Sequence, residues 1–156
     1  LNGCVIGGNG YSFKGISIPP EVNTFFVEEF DNQTSTAPPT LPQTFKQQLS
    51  DKIRNESRLK FDDLNPDIEF IGSISEYRVS AQSPQPDQTN AFNRLSITFQ
   101  VEYVSNLNED DNWKKRFNHF AEFETSENLI DVQDRLIDEI LEEIIERVFN
   151  TAFTNW

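Results

Sequence analysis

The chain has 156 residues with 26 acidic and 13 basic side chains, which gives a formal net charge of -13. This charge argues against a nucleic-acid-binding protein, because such proteins need basic surface to displace counterions from phosphates. It also argues against docking on an anionic membrane through a polybasic face. The length fits a single domain, no apolar run approaches the roughly eighteen residues that span a bilayer, and a lone cysteine cannot form a disulfide within the chain.

The first motif lies at the N-terminus. Residues 1–4, Leu-Asn-Gly-Cys, resemble the lipobox that ends a bacterial lipoprotein signal peptide, and the lack of any methionine favours an upstream segment. On this interpretation residues 1–3 are a signal-peptide remnant, excluded from fold reasoning. Cys4 then carries a diacylglycerol on its thiol and a further acyl chain, such as palmitate, on its amine. Residues 4–10, rich in glycine, would form a lipidated flexible tether. The alternative is an incidental or buried cysteine.

The first half of the chain predicts a strand and a helix. Residues 24–30 have strand character, and the polar, proline-rich residues 31–39 predict a loop. The helix begins at Thr40 as its cap, with Gln43 reaching back as in a capping box and Pro42 in the first turn. Apolar residues at steps of four predict one buried stripe on this helix, formed by Leu41, Phe45, Leu49 and Ile53.

Three strands follow, at residues 68–81, 94–105 and 113–124. The short links at 83–90 and 106–112 predict that they are antiparallel neighbours. The middle strand alternates most cleanly. Its predicted core face consists of Leu95, Ile97, Phe99, Val101 and Tyr103. Its other face is predicted to be exposed to solvent or covered by a partner, and carries Ser96, Thr98, Gln100 and Glu102.

A long helix is predicted from about residue 127 to 156, with Ser126 as its cap. Its apolar side is Ile137, Ile140, Leu141, Ile144, Ile145, Val148, Phe149, Ala152 and Phe153. The element order is β-α-β-β-β-α. Two helices with one apolar stripe each and a sheet with one apolar face predict an α+β two-layer sandwich, formed by residues 11–156, with a mainly antiparallel four-stranded sheet and both helices on one face.

The sequence predicts no catalytic group, metal site or cofactor. His119 is the only histidine, and its place in a strand favours a structural role. No nucleophile elbow, phosphate-binding loop or histidine-rich metal motif is present. The link at 106–112 has the odd spacing of a calcium loop, but Asp111 stands where glycine is needed and Phe117 where glutamate is needed. An acidic hairpin turn is the better interpretation.

Several segments in this order resemble the LptE family of outer-membrane lipoproteins. The segments are the lipobox with Cys4, residues 11–20, 24–30, 40–45 and 93–98, and the helix 134–156 that closes on Asn-Trp. The resemblance implies a two-helix, four-stranded sandwich without catalysis. It also implies an outer-membrane lipoprotein on the periplasmic side that sits as a plug in the lumen of the LptD β-barrel and assists lipopolysaccharide transport and assembly.

The resemblance makes an LptD-type barrel the expected partner, with lipopolysaccharide itself left open because the chain is strongly acidic. The expected contacts with the barrel are Asp87 and Glu109 on the two hairpin links. Five aromatic residues are expected at outer strand positions or in loops, where they would anchor an interface: Tyr11, Phe13, Tyr77, Phe92 and Trp156. The alternatives are a lipoprotein subunit of another envelope barrel or secretion complex, and a small hydrolase that uses carboxylates.

Overall fold

The computed structural model of the chain describes residues 15–84, 86–87 and 90–154. Cys4 and its tether, Tyr11, Phe13 and Trp156 lie outside the described residues. The elements are, in chain order, β1 (Thr24–Val27), β2 (Asp31–Asn32), α1 (Leu41–Glu56), β3 (Lys60–Phe61), β4 (Ile68–Ala81), β5 (Phe92–Ser105), a 3-10 turn (Glu109–Asp111), β6 (Trp113–Glu124) and α2 (Leu129–Phe153).

Both helices form where the apolar periodicity predicts them, but their caps differ from the prediction. Thr40 precedes α1 without a side-chain cap, and its carbonyl oxygen accepts a hydrogen bond from the Thr44 amide. The predicted capping box is therefore wrong, although Pro42 does lie in the first turn. Asn128, not Ser126, precedes α2, and the Ser126 hydroxyl donates to a Glu124 carboxylate oxygen instead.

The sheet differs from the predicted four antiparallel strands. It has six strands in the order β3-β1-β4-β5-β6, with β2 also pairing with β4. The pairs β4–β5 and β5–β6 are antiparallel as expected. Strand β1 runs parallel to both β3 and β4, and β2 runs parallel to β4. Helix α1 crosses over between β1 and β4, which brings the chain back in the same direction. Strands β2 and β3 have two residues each, too few to show any periodicity.

The core lies between the helices and one face of the sheet. All five residues on the predicted core face of β5 are buried, as are the four stripe residues of α1. The Phe99 ring stacks on Phe45 of α1 with centroids 4.3 Å apart, and Phe70 of β4 meets Phe153 of α2 at 6.0 Å. Both helices therefore pack on the same face, so the two-layer α+β arrangement is confirmed.

Gly72 allows the two central strands to approach closely. Its φ of 154° lies in a region that favours glycine, and a Cβ atom there would overlap the carbonyl oxygen of Gln100 on the neighbouring strand β5. The ring of Phe30 lies on the same spot, at 3.0 Å from that Cβ position. Any larger residue would push β4 and β5 apart.

Candidate functional site

The described residues assemble no catalytic centre of a familiar kind. His119 is half-buried on β6 with its ring stacked beside Phe120, at 5.6 Å between centroids. Within residues 15–84, 86–87 and 90–154, no three His, Cys, Asp or Glu side chains group as a metal site. In the link at 106–112 the Asn108 and Asn112 side-chain oxygens accept backbone hydrogen bonds from Asp110 and Ser105. These amides shape the turn, as expected of a hairpin link.

The two predicted contact residues lie at opposite ends of the molecule. Asp87 belongs to the link between β4 and β5, and Glu109 to the link between β5 and β6. Strand β5 has 14 residues and so separates the two links by about 45 Å, at roughly 3.3 Å per residue. Both residues are exposed. The structure therefore does not bring them into one site.

Two loops meet at the end that carries Glu109. The Asn106 amide donates to the Asp67 carbonyl oxygen at 2.8 Å, and the Asn106 side chain donates to the Pro66 carbonyl oxygen at 2.9 Å. We call the loops 62–67 and 106–112 together the acidic end. Their sequences contain six carboxylates and no lysine or arginine: Asp62, Asp63, Asp67, Glu109, Asp110 and Asp111.

The acidic end also carries two exposed leucines that sequence reasoning missed. Leu64 is 91% exposed and Leu107 is 50% exposed. Each is held by its own loop, because a carboxylate oxygen of Asp62 accepts from the Leu64 amide and the Ser105 hydroxyl oxygen accepts from the Leu107 amide. The only feature of the sequence that could have indicated these exposed leucines is a single leucine inside each polar segment, and such a leucine is common on protein surfaces.

A buried aromatic cluster supports the acidic end from below. Tyr103 stacks on Trp113 at 5.6 Å and contacts Phe70 at 5.5 Å. Burial, assisted by the negative charge of Asp111, raises the pKa of Tyr103 to about 12. A tyrosine hydroxyl is uncharged at physiological pH even at the ordinary pKa of 10, and the raised pKa extends this neutral state into alkaline solution.

The described N-terminal residues lie at the same end. The Ser17 amide donates to the Phe153 carbonyl oxygen at 2.6 Å, where α2 ends. Arg58 ties down the following residues by donating to the carbonyl oxygens of Pro19 and Val22, at 2.8 and 2.7 Å. The chain therefore enters the domain beside the acidic end.

A lysine joins the two helices on the outer side of the helical layer. Lys52 of α1 lies 2.6 Å from a carboxylate oxygen of Glu146 on α2 and 2.8 Å from one of Glu56. Burial alone would lower the pKa of Lys52, but the hydrogen bonds to Glu146 and Glu56 outweigh it and the pKa is raised. The hydrogen bond from Lys52 lowers the pKa of Glu146. Both shifts favour the charged pair.

The open face of the sheet is polar and partly closed by its own side chains. Thr98 is fully buried there, although its position predicted an exposed or partner-covered residue. The Asn118 side chain donates to the Thr98 hydroxyl oxygen at 2.7 Å, and that hydroxyl donates to Glu76 at 3.3 Å. The Arg94 guanidinium lies 3.7 Å from the centre of the Phe120 ring. The Thr98 hydroxyl on this face is thus satisfied without a partner protein, whereas Gln100 Oε1 and Arg94 Nε on the same face are buried and have no hydrogen-bond partner among the described residues.

The expected cluster of exposed aromatics does not form among the described residues. Tyr77 is only 7% exposed, and its hydroxyl donates to Gln133 of α2 at 2.8 Å. Burial, with the charge of Asp134, raises the pKa of Tyr77 to about 12. Phe92 is half-buried.

Neither helix among residues 15–84, 86–87 and 90–154 combines the length and the apolar composition of a membrane span.

The fold and its surface define an α+β sandwich with a polar exterior, a charged helical layer and one acidic, leucine-bearing end. Residues 22–152 match the model of the family described as "LptE: Lipopolysaccharide-assembly". The chain belongs to the LptE family, so the resemblance seen in the sequence is confirmed. A search of curated proteins gives no significant match.

Solved structures share the fold at low sequence identity. An uncharacterized lipoprotein B from Nitrosomonas europaea matches with a TM-score of 0.57 and 9% identity, over 92% of this chain and 88% of that one. A hypothetical protein from Chlamydia trachomatis matches with a TM-score of 0.54 and 10% identity, over 84% and 98%. The rare lipoprotein B from Shewanella oneidensis gives 0.51 and 10%, over 83% and 90%. At these identities the likeness shows the fold alone.

Proposed function

We propose that this chain is a non-catalytic lipoprotein of the outer membrane that plugs and scaffolds an LptD-type β-barrel and so assists lipopolysaccharide transport and assembly. The observation that carries the proposal is the LptE family match over residues 22–152, which spans the sheet and nearly all of both helices. The proposal places the protein on the periplasmic side of the membrane. A cofactor has no part in this role.

The shape and charge of the domain suit a plug. The sandwich is about 45 Å long at β5, and its exterior is polar on the open sheet face and acidic on α2. The lumen of a transmembrane barrel is polar, and basic lumen residues would attract a protein with a net charge of -13. Charge attraction of this kind steers docking and fixes orientation more than it adds affinity.

Acylation of Cys4 would hold the domain at the membrane. Ten residues lie between Cys4 and Gly15, the first described residue, so eleven Cα–Cα steps join the two. A chain of this length reaches about 35–40 Å when extended. A lipid on Cys4 would therefore keep the acidic end within reach of the membrane surface, with the Asp87 end farther away.

The first experiment identifies the partner. The tagged lipoprotein is purified from outer membranes in mild detergent, and the co-purifying proteins are identified by mass spectrometry. We expect an LptD-type barrel in a 1:1 ratio. Recovery of a different barrel or of a secretion complex would favour the alternative of a subunit of another envelope machine. Absence of any barrel would refute the plug role.

Photocrosslinking then tests the two proposed contact residues. A photoreactive amino acid replaces Asp87 or Glu109, which lie at opposite ends of β5. A barrel that encloses the whole sandwich would crosslink at both positions, and a barrel that holds one end would crosslink at only one. The plug role is wrong if both positions crosslink only to soluble periplasmic proteins.

A further inference from the structure

Strand β6 forms an edge of the described sheet, where β5 is its only neighbouring strand. Three hydrogen bonds show which of its backbone groups point outward. The Asn118 carbonyl oxygen accepts from the Arg147 side chain. The Glu124 amide donates to a Glu127 carboxylate oxygen, whereas the Thr125 amide donates to the residue before β5. Because the two lateral directions alternate along a strand, the even-numbered residues of β6 point away from the sheet, where a further strand can pair.

The charges of β6 are divided between its two halves. Lys114, Lys115 and Arg116 are exposed near its start, and none of them forms an ion pair with a described residue. The last three residues of the strand include Glu122 and Glu124. The strand is therefore basic at one end and acidic at the other.

Charges on the neighbouring strand weaken this division but do not reverse it. Glu102 of β5 is opposite Lys114, and Arg94 of β5 lies 3.5 Å from Glu122. With these neighbours included, basic residues still outnumber acidic ones in the first half of β6, and acidic residues outnumber basic ones in the second half.

Charges beyond the two ends of β6 lie outside its outward edge or are already paired. The acidic 3-10 turn, Glu109–Asp111, precedes β6 and contacts β5. Glu127 follows β6 and lies 3.8 Å from Arg135. On α2, beside the edge, Glu143 lies 3.6 Å from Arg147. The unpaired charges along the edge itself are thus those of the strand.

We infer that β6 is an interface for a second copy of this chain, with the two β6 strands antiparallel about a two-fold axis at His119. In this register Lys114 faces Glu124 of the second copy, and Arg116 faces Glu122 of the second copy. The symmetry repeats each pair, so four pairs of opposite charge form. All of these positions are even-numbered, so their outward backbone groups meet in hydrogen-bonded pairs.

The charge pattern selects this register over the others. A shift by one residue would bring outward groups against residues that point back to β5. A shift by two residues in either direction leaves two pairs of opposite charge instead of four. Parallel strands would bring the basic halves together, and like charges opposite each other are destabilising.

Lysine and arginine on an edge strand commonly prevent strand pairing. In β6 the same residues meet glutamates when the second copy is antiparallel, so they favour one partner and one register. Pairing replaces the hydrogen bond from Arg147 to Asn118 with a backbone hydrogen bond. The dimer is a form of the lipoprotein outside the barrel, and it does not rest on the proposed function.

Disulfide trapping tests the position of the two-fold axis. The variants are made in the 156-residue chain with Cys4→Ser, which removes its only cysteine. His119 would form a non-hydrogen-bonded pair with its own copy, with Cα atoms about 4.5 Å apart, which a disulfide can span. We expect His119→Cys to give a covalent dimer under mild oxidation. Lys115→Cys is the control and should remain monomeric, because its two copies would lie about 25 Å apart.

Equal trapping of the two cysteine variants would overturn the inference, and so would the absence of a covalent dimer for His119→Cys. The His119→Cys variant changes none of the charged residues of the interface. Its result is therefore independent of any effect that a change of charge has on folding.

Charge reversal tests the partner. Sedimentation of the same Cys4→Ser chain over about 1–500 µM measures its self-association, which should weaken at high salt. Lys114→Glu with Arg116→Glu makes the whole edge acidic, and Glu122→Lys with Glu124→Lys makes it basic. Each variant alone should associate about tenfold more weakly or worse. An equal mixture of the two should recover the wild-type affinity, because all four pairs then have opposite charge.

Glu28→Lys with Glu29→Lys is the control, since it changes the charge by the same amount at exposed positions following β1, away from β6. It should dimerise like the wild type. Circular dichroism checks that each variant is folded. A wild-type chain that stays monomeric over the whole range, or folded edge variants whose mixture recovers no dimer, would overturn the inference.

Failure of the proposed function gives a different result. The dimer is measured on the purified chain without any barrel. A monomeric chain that still co-purifies with an LptD-type barrel from membranes refutes the dimer and leaves the plug role in place. A dimeric chain that brings down no barrel refutes the plug role and leaves the dimer in place.

Discussion

Phe99 joins the sheet to helix α1. It is fully buried, stacks on Phe45 at 4.3 Å with an interplanar angle of 22°, and lies 6.2 Å from Phe30. These two neighbours come from different parts of the chain, so the three rings close the core between β5, α1 and the segment after β1. A residue in this position stabilises the fold through the volume that it fills as well as through the apolar area that it buries.

Truncation of Phe99 should therefore destabilise the domain strongly. We expect Phe99→Ala to lower the free energy of unfolding by about 3–5 kcal/mol, because the cavity cannot be filled by its ring neighbours without strain. Urea unfolding followed by circular dichroism measures the loss. Phe120→Ala, at an outer position that is 37% exposed, is the control and should cost at most about 1 kcal/mol. An unchanged unfolding midpoint for Phe99→Ala would show that this packing is wrong.

Thr98 holds a polar network on the opposite face of the same strand. Its hydroxyl accepts from Asn118 and donates to Glu76, and it has no exposure to solvent. The Asn118 amide also donates to the Ile97 carbonyl oxygen at 3.2 Å, so it keeps one partner if the hydroxyl is removed.

Thr98→Val keeps the shape of the side chain and removes the hydroxyl. We expect a loss of about 1 kcal/mol in the free energy of unfolding, since the Asn118 amide and the Glu76 carboxylate each lose a hydrogen bond. Ser96→Ala on the same face is the control and should change stability by less than about 0.5 kcal/mol. Stability of Thr98→Val equal to that of the wild type would mean that solvent, rather than Thr98, satisfies these groups.

At the scale of elements, Lys52 links the two helices that cover the sheet. The two helices run side by side, and Lys52 reaches from α1 to Glu146 of α2 while its ammonium also lies 5.1 Å from the Phe149 ring. Its side chain is 16% exposed, whereas that of Glu146 is 52% exposed. Solvent screening at Glu146 keeps the contribution of the pair small.

The Lys52–Glu146 pair should stabilise the fold only where both groups are charged. The lowered pKa of Glu146 gives stability that is present above its ordinary value of 4.5 and is lost as the pH falls through the lowered pKa. The raised pKa of Lys52 gives stability that is present below 10.5 and is lost as the pH rises through the raised pKa. A Lys52→Met and Glu146→Gln double-mutant cycle should show a coupling of up to about 1 kcal/mol at neutral pH.

The coupling should disappear in acid, where Glu146 becomes neutral. Thermal unfolding of the four proteins of the cycle at neutral and at acidic pH gives the measurement. The exposed Arg54 and Asp51 pair, with side chains 45% and 49% exposed, serves as the control cycle and should show almost no coupling. A coupling that persists unchanged in acid would show that the interaction does not depend on the charge of Glu146.

At the scale of the whole molecule, the folded domain is separate in sequence from the proposed site of lipid attachment. The core is built from residues 22–153, and the described chain before it contributes only Ile16 and Ile18 at the margin of the core. Cys4, where we propose a lipid, precedes the described residues. Anchoring and folding should therefore respond to different changes in the sequence.

Cys4→Ser should release the protein from the membrane without loosening the fold. Acyl chains bind a membrane through about 0.8 kcal/mol for each buried CH₂ group, and two or more chains anchor firmly. We expect the wild type to fractionate with outer membranes and to show added lipid in its intact mass, and Cys4→Ser to be found in the soluble periplasmic fraction. Both should share one melting temperature. A mature wild-type protein that begins at Leu1 with a free thiol would contradict the lipobox.

The sequence by itself determined where the two helices and the strands β1, β4, β5 and β6 lie, and which side of α1, α2 and β5 is buried, but not the two-residue strands β2 and β3. The stripe of Leu41, Phe45 and Leu49 and the alternation through Phe99 are local patterns, because a helix and a strand repeat their facing with fixed periods. Burial of every member of these patterns confirms those predictions. The family resemblance likewise rests on segments that can be read along the chain.

Only the tertiary structure decided how those elements meet. The parallel pairing of β1 with β4, the contact of Lys52 with Glu146 and the joining of loops 62–67 and 106–112 each bring together residues that are distant in sequence. The periodicity of apolar residues along the sequence cannot predict such pairings, because they depend on how the crossover through α1 closes the sheet. For the same reason the sequence predicted Asp87 and Glu109 as one kind of contact, whereas the fold places them at opposite ends of β5 and puts the exposed Leu64 and Leu107 at the end that carries Glu109.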